Sequence, residues 1–365
     1  MIPGIARAWF REERVTDRTT WLFVGIEGAD GVMGFGEATL AGSEAEVRAA
    51  ASLLPAISDW RDTDPDAAQT RLPFDTLPQA ALSSAVLQAL WDLEARQKGL
   101  PLAVALGGVA RPVPVYANIN RRTRDRSPEG MARSASDALA AGHRAIKIAP
   151  FDEVRPDLGR TEMTAAAEPG LARIAAVRAA IGDRRLMIDC HWRFNAEGAA
   201  RMIDAVAPLD PHWVECPVAE TEAAIPAIRR LRERANAHGM RLAGLETRVL
   251  LAGFRPYLEA GAYDVMMPDM KYAGGPSEML RIAAELRRHG VVFSPHNPSG
   301  PICHAHSLHL CAALEDADLL EMQFDETPAF DALVDHALPQ VTKGAIALSP
   351  DRPGIGVSLG SEATQ

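Results

Sequence analysis

The pattern of apolar and polar positions changes twice in the first hundred residues. The stretches 21–27 and 32–37 alternate apolar with small or polar residues, and Ala29-Asp30-Gly31 lies between them. Alternation around a turn of this composition predicts two antiparallel strands joined as a hairpin. From Ala80 to Lys98 the apolar residues instead recur at helical spacing, and Gly and Pro follow. These positions are Leu82, Val86, Ala89 and Leu93. We therefore expect residues 1–112 to form an α+β domain.

A different pattern begins at Val113, where short apolar runs alternate with helix-length segments rich in Ala, Arg and Glu. The eight runs start 23 to 42 residues apart, which leaves room for a crossover helix between successive runs. The runs are Val113–Ile119, Arg144–Ala149, Leu186–His191, His212–Pro217, Arg241–Thr247, Asp264–Asp269, Val291–His296 and Leu319–Gln323. Eight such units predict a (β/α)8 barrel over residues 113–338. We expect residues 339–365 to return to the N-terminal domain.

Three acidic residues come at the ends of three successive runs. Asp189, Glu215 and Glu246 are separated by 26 and 31 residues, about one strand–helix unit each. Active sites of barrels lie at the carboxyl ends of the strands, so these side chains are expected to converge. Three carboxylates in one place repel each other, and an all-oxygen set suits Mg²⁺. The alternative is that each acid forms its own surface salt bridge.

Histidines accompany the acids at the same strand ends. Side chains two residues apart share a face of a strand, so Asp189 and His191 are expected to point the same way. Asp269 and His296 end the sixth and seventh runs, where adjacent strands bring them together. A carboxylate that accepts from an imidazole orients it and raises its basicity, which predicts that His296 is a general base. The alternatives are a structural role for His191 and a helix cap for Asp269.

Composition narrows the setting of this site. The chain has 365 residues and a net charge of −10, so it would repel phosphate backbones, and a nucleic-acid partner is not expected. We also expect no membrane association, because no apolar run approaches the roughly 18–20 residues that a membrane helix needs. Charged residues close to the N-terminus argue against a signal peptide. Four cysteines without metal-ligand spacing are typical of a reducing compartment, which indicates a cytoplasmic location.

Taken together, these residues resemble the mandelate racemase/muconate lactonizing enzyme family of the enolase superfamily. The resemblance covers nearly the whole chain and is carried, besides the three acids, by Gly34–Ala38, Ala89–Leu93, Leu106–Gly108 and Met267–Gly275. It implies a modified (β/α)8 TIM barrel beneath an α+β N-terminal capping domain, with Mg²⁺ held by Asp189, Glu215 and Glu246. It also implies a symmetric homo-oligomer.

Two features place the sequence within that family. Members with a Lys-x-Lys pair on the second strand use the second lysine as a base, but here the segment reads Lys147-Ile148-Ala149. Lys147 remains available to bind a substrate carboxylate or enolate oxygen. The third-strand Asp189-x-His191 and the seventh-strand His296 resemble galactonate-type sugar-acid dehydratases, in which the former histidine is an acid and the latter a base. Asn297 and Ser299 depart from the residues usual in those enzymes.

The resemblance leads to a mechanistic expectation. The substrate is a 2,3-dihydroxy carboxylate whose α-proton is taken by His296 and whose 3-hydroxyl is protonated by His191, with Mg²⁺ stabilising the enediolate. Glu321 is expected to hydrogen-bond the substrate carboxylate, in preference to Glu326. The alternatives are a racemase or epimerase, a dehydratase of a cyclic hydroxy amino acid, and a catalytically silent binding barrel. Arg11–Arg18 is a candidate lid over the site.

Overall fold

The capping domain is a small antiparallel sheet covered by one long helix. The structure is a computed structural model that describes residues 4–54 and 64–360. Strands β1 (Ile5–Arg14), β2 (Thr20–Gly28) and β3 (Met33–Glu37) lie in that order. The predicted hairpin is confirmed, and Gly31 adopts the left-handed conformation that its turn requires, with φ of 81°.

Helix α3 packs against strands β2 and β3, and the shorter helices of this domain contact α3. They are α1 (Glu44–Ala50), α2 (Pro65–Ala68), α3 (Leu77–Gln97) and α4 (Leu102–Ala105). Helix α3 begins three residues earlier than predicted, because the Thr76 hydroxyl caps it by accepting from the amide of Gln79. The helix lies so close to β3 that a Cβ at Gly36 would be 2.0 Å from the carbonyl oxygen of Ala85.

Each of the eight apolar runs contains one strand of a parallel sheet, as predicted. In chain order the strands are β4 (Val113–Asn118), β5 (Ala145–Ile148), β6 (Arg185–Asp189), β7 (Trp213–Glu215), β8 (Arg241–Gly244), β9 (Val265–Met266), β10 (Val292–Phe293) and β11 (Leu320–Gln323). Neighbours along the chain pair from β4 to β10, and β11 pairs with β4. The predicted fold class, a modified (β/α)8 barrel with an α+β cap, is confirmed.

The two ends of the row, β10 and β11, meet through single hydrogen bonds. The amide of Asp318 donates to the carbonyl of Phe293 at 3.1 Å, and the Ser294 hydroxyl donates to the carbonyl of Leu319 at 2.5 Å. Seven helices cross between the strands: α5 (Pro128–Ala140), α6 (Arg160–Ile181), α7 (Ala196–Val206), α8 (Ile225–Ala237), α9 (Leu250–Glu259), α10 (Gly275–Arg288) and α11 (Pro301–Ala313). Between β11 and residue 360, the structure has a short helix, α12 (Ala329–Ala332), and a strand, β12 (Ala345–Ile346), that pairs with β4.

Apolar side chains fill the barrel, so that it has a packed core and not a channel. Successive strands contribute residues to one buried inner cluster: Tyr116, Ala145, Met187, Trp213, Ala243, Val265, Met267 and Leu319. A larger buried cluster lies between the strands and the surrounding helices. The four cysteines are free and buried. No helix in the described parts of the chain is long and apolar enough to cross a membrane.

The cap covers the carboxyl ends of the last barrel strands. The buried carboxylate of Glu37, at the end of β3, accepts from the amides of Gly300 and Cys303 at 2.7 and 2.9 Å. These amides belong to the first turn of α11, so a residue of the cap completes the hydrogen bonding of a barrel helix. The Thr19 hydroxyl donates to Glu326, which follows β11, at 2.6 Å.

The lid expectation needs a correction. Residues Arg11–Arg14 belong to β1, and only residues 15–19 connect it to β2. Arg11 is paired with Glu13, and Glu12 with Arg48, so charged side chains along this strand are used in ion pairs. A polar run of this kind favours a loop, but an antiparallel strand with an exposed face is polar at such positions as well.

The C-terminal residues contact the cap as well as the barrel. The carboxylate of Asp92, on α3, accepts from the amides of Phe35 and Ile355. The amide of Leu102 donates to the carbonyl of Gly354 at 2.7 Å. The division at residues 112 and 338 remains a prediction.

Candidate active site

The three predicted metal ligands lie at the carboxyl ends of neighbouring strands. Asp189 and Glu215 are the last residues of β6 and β7 and are register partners in the parallel sheet. Glu246 follows two residues after the end of β8, because that strand is shorter than the run predicted for it. All three side chains are buried beneath the mouth of the barrel.

Each of these carboxylates faces a protein donor. Oδ2 of Asp189 is 2.8 Å from Nε2 of His191. Glu215 accepts from Nζ of Lys147 at 2.6 Å and from the Trp213 indole at 3.0 Å. Oε2 of Glu246 is 3.5 Å from Nε2 of His296. Within residues 4–54 and 64–360, no three His, Cys, Asp or Glu side chains form a group already arranged to hold a metal ion.

The buried carboxylates of this cluster nevertheless repel each other, and a bound cation would reduce that repulsion. Burial, together with the charges of Asp189, Glu321 and Glu246, raises the pKa of Glu215 to about 8 against the opposing effect of Lys147. Burial likewise raises the pKa of Glu246. Three buried carboxylates on adjoining strands are hard oxygen donors, which is the donor chemistry that Mg²⁺ takes. The donor set therefore fits the predicted ion, although ion binding requires these side chains to turn from their present partners.

The structure brings His296 and Asp269 together as strand adjacency predicts. A single bridge between these two residues continues the pairing of β9 and β10. Nδ1 of His296 is 2.7 Å from Oδ2 of Asp269, which leaves Nε2 to face Glu246. Burial opposes the protonated imidazole, but the neighbouring carboxylates, Glu246 first, raise the pKa of His296 overall.

Lys271 lies beside this pair and is a site residue that the sequence pattern did not indicate. Nζ of Lys271 is 2.8 Å from Oδ2 of Asp269 and also donates to the Ser299 hydroxyl at 2.6 Å. Asp269 thus contacts both Lys271 and His296, which lower its pKa against the effect of burial. The Asp-x-Lys spacing at the end of a strand is the sequence feature that could indicate this contact, because both residues can point into the same site.

His191 lies beside Asp189 for a reason other than the predicted one. Strand β6 ends at Asp189, and His191 has a left-handed backbone with φ of 46°, so shared strand geometry does not align the two side chains. A tight turn does, since the His191 amide also donates to Oδ1 of Asp189 at 2.9 Å. The charge of Asp189 raises the pKa of His191 to about 9, and the side chain is 45% exposed. His191 is thus a protonated group that borders the open side of the site.

Lys147 and Glu321 form a buried ion pair in the floor of the site. Nζ of Lys147 is 2.9 Å from Oε1 of Glu321, which also accepts from the Asn118 amide group at 2.6 Å. Oε2 of Glu321 accepts from the backbone amide of Asn297 at 3.0 Å. Burial opposes ionisation of Glu321, but Lys147 and His296 lower its pKa to about 2. Its predicted hydrogen bond to a substrate carboxylate therefore needs a shared proton, because two carboxylates repel.

Other conspicuous residues serve the packing of the fold. Arg193 donates to the backbone carbonyls of Asp152 and Val154, both before α6. Glu326 is paired with Arg121 at 3.2 Å on the side of the cap. The histidines of α11 are buried, with hydrogen-bond partners in the cap or the barrel; they are His304, His306 and His309.

An α+β cap over the carboxyl ends of an eight-stranded barrel, with buried acids and oriented histidines beneath it, defines a class of barrel enzymes with a covered active site. Comparison with known families agrees. Residues 13–107 match the family described as the mandelate racemase/muconate lactonizing enzyme N-terminal domain. Residues 130–363 match the enolase C-terminal domain-like family. The chain therefore belongs to the mandelate racemase/muconate lactonizing enzyme family of the enolase superfamily.

Individual relatives are similar over most of the chain. The D-galactonate dehydratase of Ralstonia pickettii (strain 12J) is 28% identical in an alignment 358 positions long that covers 93% of this chain and 88% of that protein. The D-gluconate dehydratase of Thermoproteus tenax is 32% identical over 282 residues, 77% of this chain and 54% of that protein. The crystal structure of an enolase-superfamily member from Salmonella Typhimurium shares the fold, with a TM-score of 0.86, 24% identity, and coverage of 98% of this chain and 97% of that one.

Proposed function

We propose that this protein is a Mg²⁺-dependent hydro-lyase that converts a sugar acid, a 2,3-dihydroxy carboxylate, into a 2-keto-3-deoxy acid and water. The observation that carries the proposal is the pair of dissimilar histidines at the carboxylate cluster. His296 is held by the buried Asp269 at Nδ1, which leaves Nε2 to act as a base, whereas the side chain of His191 is 45% exposed and borders the open side of the site, as suits an acid for a leaving hydroxyl. Relatives named galactonate and gluconate dehydratase support the same class of reaction.

Asp189, Glu215 and Glu246 would hold the ion. When bound, Mg²⁺ stabilises the negative charge that develops on the substrate carboxylate as the α-proton leaves. The charge that these acids carry at the end of their strands makes the mouth of the barrel a site for that cation. The ligand set remains a prediction until ion binding is measured.

The two histidines divide the proton transfers between them. Nε2 of His296 accepts the α-proton, since Nδ1 is engaged by Asp269. The charge of Glu246 raises the pKa of His296 and so favours the protonated imidazole. When that charge is neutralised, the pKa falls, and Nε2 is free to accept a proton. His191 donates its proton to the departing 3-hydroxyl, which leaves as water, and the enol that remains tautomerises to the ketoacid.

The structure gives a reason to prefer elimination over racemisation. Racemisation needs a base on each side of the α-carbon, and Ala149 removes one lysine that could serve. The surviving Lys147 is tied to two carboxylates, Glu215 and Glu321, which raise its pKa well above the usual value despite burial. A lysine held protonated in this way cannot act as the second base.

The test is a substrate screen with the purified full chain and Mg²⁺. D-Galactonate, D-gluconate, other aldonates, sugar diacids and a hydroxyproline are incubated in turn, and ketoacid is detected as its semicarbazone. We expect ketoacid from at least one sugar acid, and its loss in His296→Asn. The matched control is His289→Asn, the same change at an exposed histidine at the end of α10.

Three results would contradict the proposal. Deuterium in recovered sugar acid after incubation in D₂O, without ketoacid, would indicate a racemase or epimerase. No reaction with any acid, together with no Mg²⁺ binding in calorimetry, would indicate a binding barrel. Reaction with the hydroxyproline alone would move the substrate class to cyclic hydroxy amino acids.

A further inference from the structure

A buried glutamate behind the carboxylate cluster connects three of the strand ends. Glu220 lies in the connection between β7 and α8 and is 5% exposed. Its Oε1 accepts from the backbone amide of Leu245 at 2.7 Å and from the Tyr263 hydroxyl at 2.8 Å. Its Oε2 accepts from the indole nitrogen of Trp192 at 3.1 Å. The thiol of Cys216 is 3.8 Å from Oε1. One carboxylate therefore contacts the chain after β6, after β7 and after β8.

Three of these partners are sequence neighbours of the predicted site residues. Trp192 follows His191, Cys216 follows Glu215, and Leu245 precedes Glu246. All three partners have left-handed backbones, with φ of 57°, 46° and 73°. Residues with a Cβ adopt this conformation only when their surroundings impose it. The contacts of Glu220 supply part of that constraint at all three strand ends.

The fold also keeps room for this carboxylate. A Cβ at Gly244, the last residue of β8, would lie 2.3 Å from Oε1 of Glu220. The backbone carbonyl of Glu220 accepts from the Tyr257 hydroxyl on α9. This hydrogen bond holds the residue from an element outside the three strand ends that its carboxylate contacts.

We infer that Glu220 is a positioning residue: by holding Trp192, Cys216 and Leu245, it sets the directions in which His191, Glu215 and Glu246 enter the active site. This inference rests on the proposed function for its catalytic consequence. It goes beyond that function because Glu220 is not among the residues proposed to hold the ion or to transfer protons. A merely structural glutamate would stabilise the fold without affecting ion affinity.

The chemistry of the contacts suggests a variant that can be rescued. In Glu220→Gln, one carboxylate oxygen becomes an NH₂ group that must face an N–H donor, either Trp192 or Leu245. In the double variant Glu220→Gln/Trp192→Phe, the NH₂ can take the side vacated by the indole, and the remaining oxygen can still accept from Leu245. The double variant should therefore recover the Leu245 contact, and with it the ion affinity, but not the contact that holds Trp192.

A matched control is available on α10. Glu278 is also 5% exposed and also accepts from a backbone amide, that of Leu251 at 2.7 Å. Its other partners are Gln69 and Arg281. Glu278→Gln makes the same chemical change at equal burial, so it reports the effect of losing a buried carboxylate as such.

The experiment measures Mg²⁺ affinity by calorimetry, thermal stability, and the kcat and KM of ketoacid formation for these variants of the full chain. We expect Glu220→Gln to bind Mg²⁺ about tenfold more weakly, the usual order for a group that orients metal ligands. Its kcat should fall. The double variant should recover the Mg²⁺ affinity, while its kcat stays reduced because the side chain at position 192, which follows His191, is no longer held. Glu278→Gln should lose thermal stability alone. Wild-type Mg²⁺ affinity in Glu220→Gln, or no recovery of that affinity in the double variant, would overturn the inference.

The experiment distinguishes failure of the proposed function from failure of the inference about Glu220. If the wild type binds Mg²⁺ but dehydrates no sugar acid, the affinities still decide the role of Glu220. If the wild type binds no Mg²⁺, crystal structures of the wild type and Glu220→Gln decide it. Unchanged left-handed backbones at Trp192 and Leu245 would then refute the inference, and altered ones would support it.

Discussion

Replacing Lys147 by methionine tests the electrostatics of the site most directly. Lys147 is 1% exposed and forms ion pairs of 2.6 Å with Glu215 and 2.9 Å with Glu321. Methionine preserves much of the side-chain volume but leaves both acids without this cation. Breaking a buried ion pair by removing one partner usually costs about 3–5 kcal/mol, because the other charge remains buried.

The magnitude follows independently from Glu321. Its pKa of about 2 lies below the ordinary value of 4.5, a difference equivalent to about 3 kcal/mol of native-state stabilisation at neutral pH. Lys147 is the largest contribution to that lowering. A depressed carboxylate pKa stabilises the native state above pH 4.5, and the stabilisation is lost as the pH falls through about 2. The wild type therefore keeps this stabilisation between pH 7 and pH 5.

The variant should behave in the opposite way. Without Lys147, burial raises the pKa of Glu321, so the folded variant takes up a proton and gains stability as the pH falls from 7 towards 5. We expect a thermal midpoint several degrees below that of the wild type at pH 7, with the difference shrinking at pH 5. The assay is a set of thermal melts in EDTA, which removes any contribution from bound ions.

Lys98→Met is the control for this experiment. Lys98 is half exposed and paired with Glu94 on α3, and exposed pairs contribute about 0–1 kcal/mol. Its midpoint should hardly change. Equal midpoints for Lys147→Met and the wild type at pH 7, or a difference that does not shrink at pH 5, would refute the electrostatic account of the site.

Four further results are expected. EDTA should abolish ketoacid formation and added Mg²⁺ should restore it; activity that survives EDTA would exclude the proposed ion. His296→Asn should reduce kcat by at least about 10²-fold, the order contributed by a general base, while substrate still binds. Burial lowers the pKa of His304, His306 and His309 to about 4, 3 and 4, so the unfolded chain binds protons first and stability should fall below pH 6.5; a flat urea midpoint from pH 6.5 to 5 would contradict this. Gly36→Ala should destabilise the cap, since its Cβ would meet α3, and an unchanged melt would show that the contact relaxes.

The expected homo-oligomer remains a prediction that light scattering after size-exclusion chromatography can test. Exposed apolar side chains such as Val109, which is 65% exposed, are of the kind that an interface between subunits would bury. A monomer at micromolar concentration would contradict the expectation.

The barrel and the residues at its strand ends could be predicted because both depend on the order of strands and helices along the chain. The strand runs repeat at the spacing of one strand and one helix, and parallel strands place their carboxyl ends at one edge whatever the details of packing. Asp189, Glu215 and the pair Asp269–His296 follow from that rule. Contacts between neighbouring strands are thus implied by chain order alone.

The tertiary structure decided what depends on turns and on distant contacts. His191 reaches Asp189 through a left-handed turn, Lys271 joins Asp269, and Glu37 of the cap completes the first turn of α11. Glu220 contacts residues 28 positions before it and 25 after it. Hydrophobic periodicity reports which face of an element is buried, but the partner of a buried polar group depends on how loops and domains pack. For that reason most residues of the site could be predicted from the sequence, whereas the hydrogen bonds between them could not.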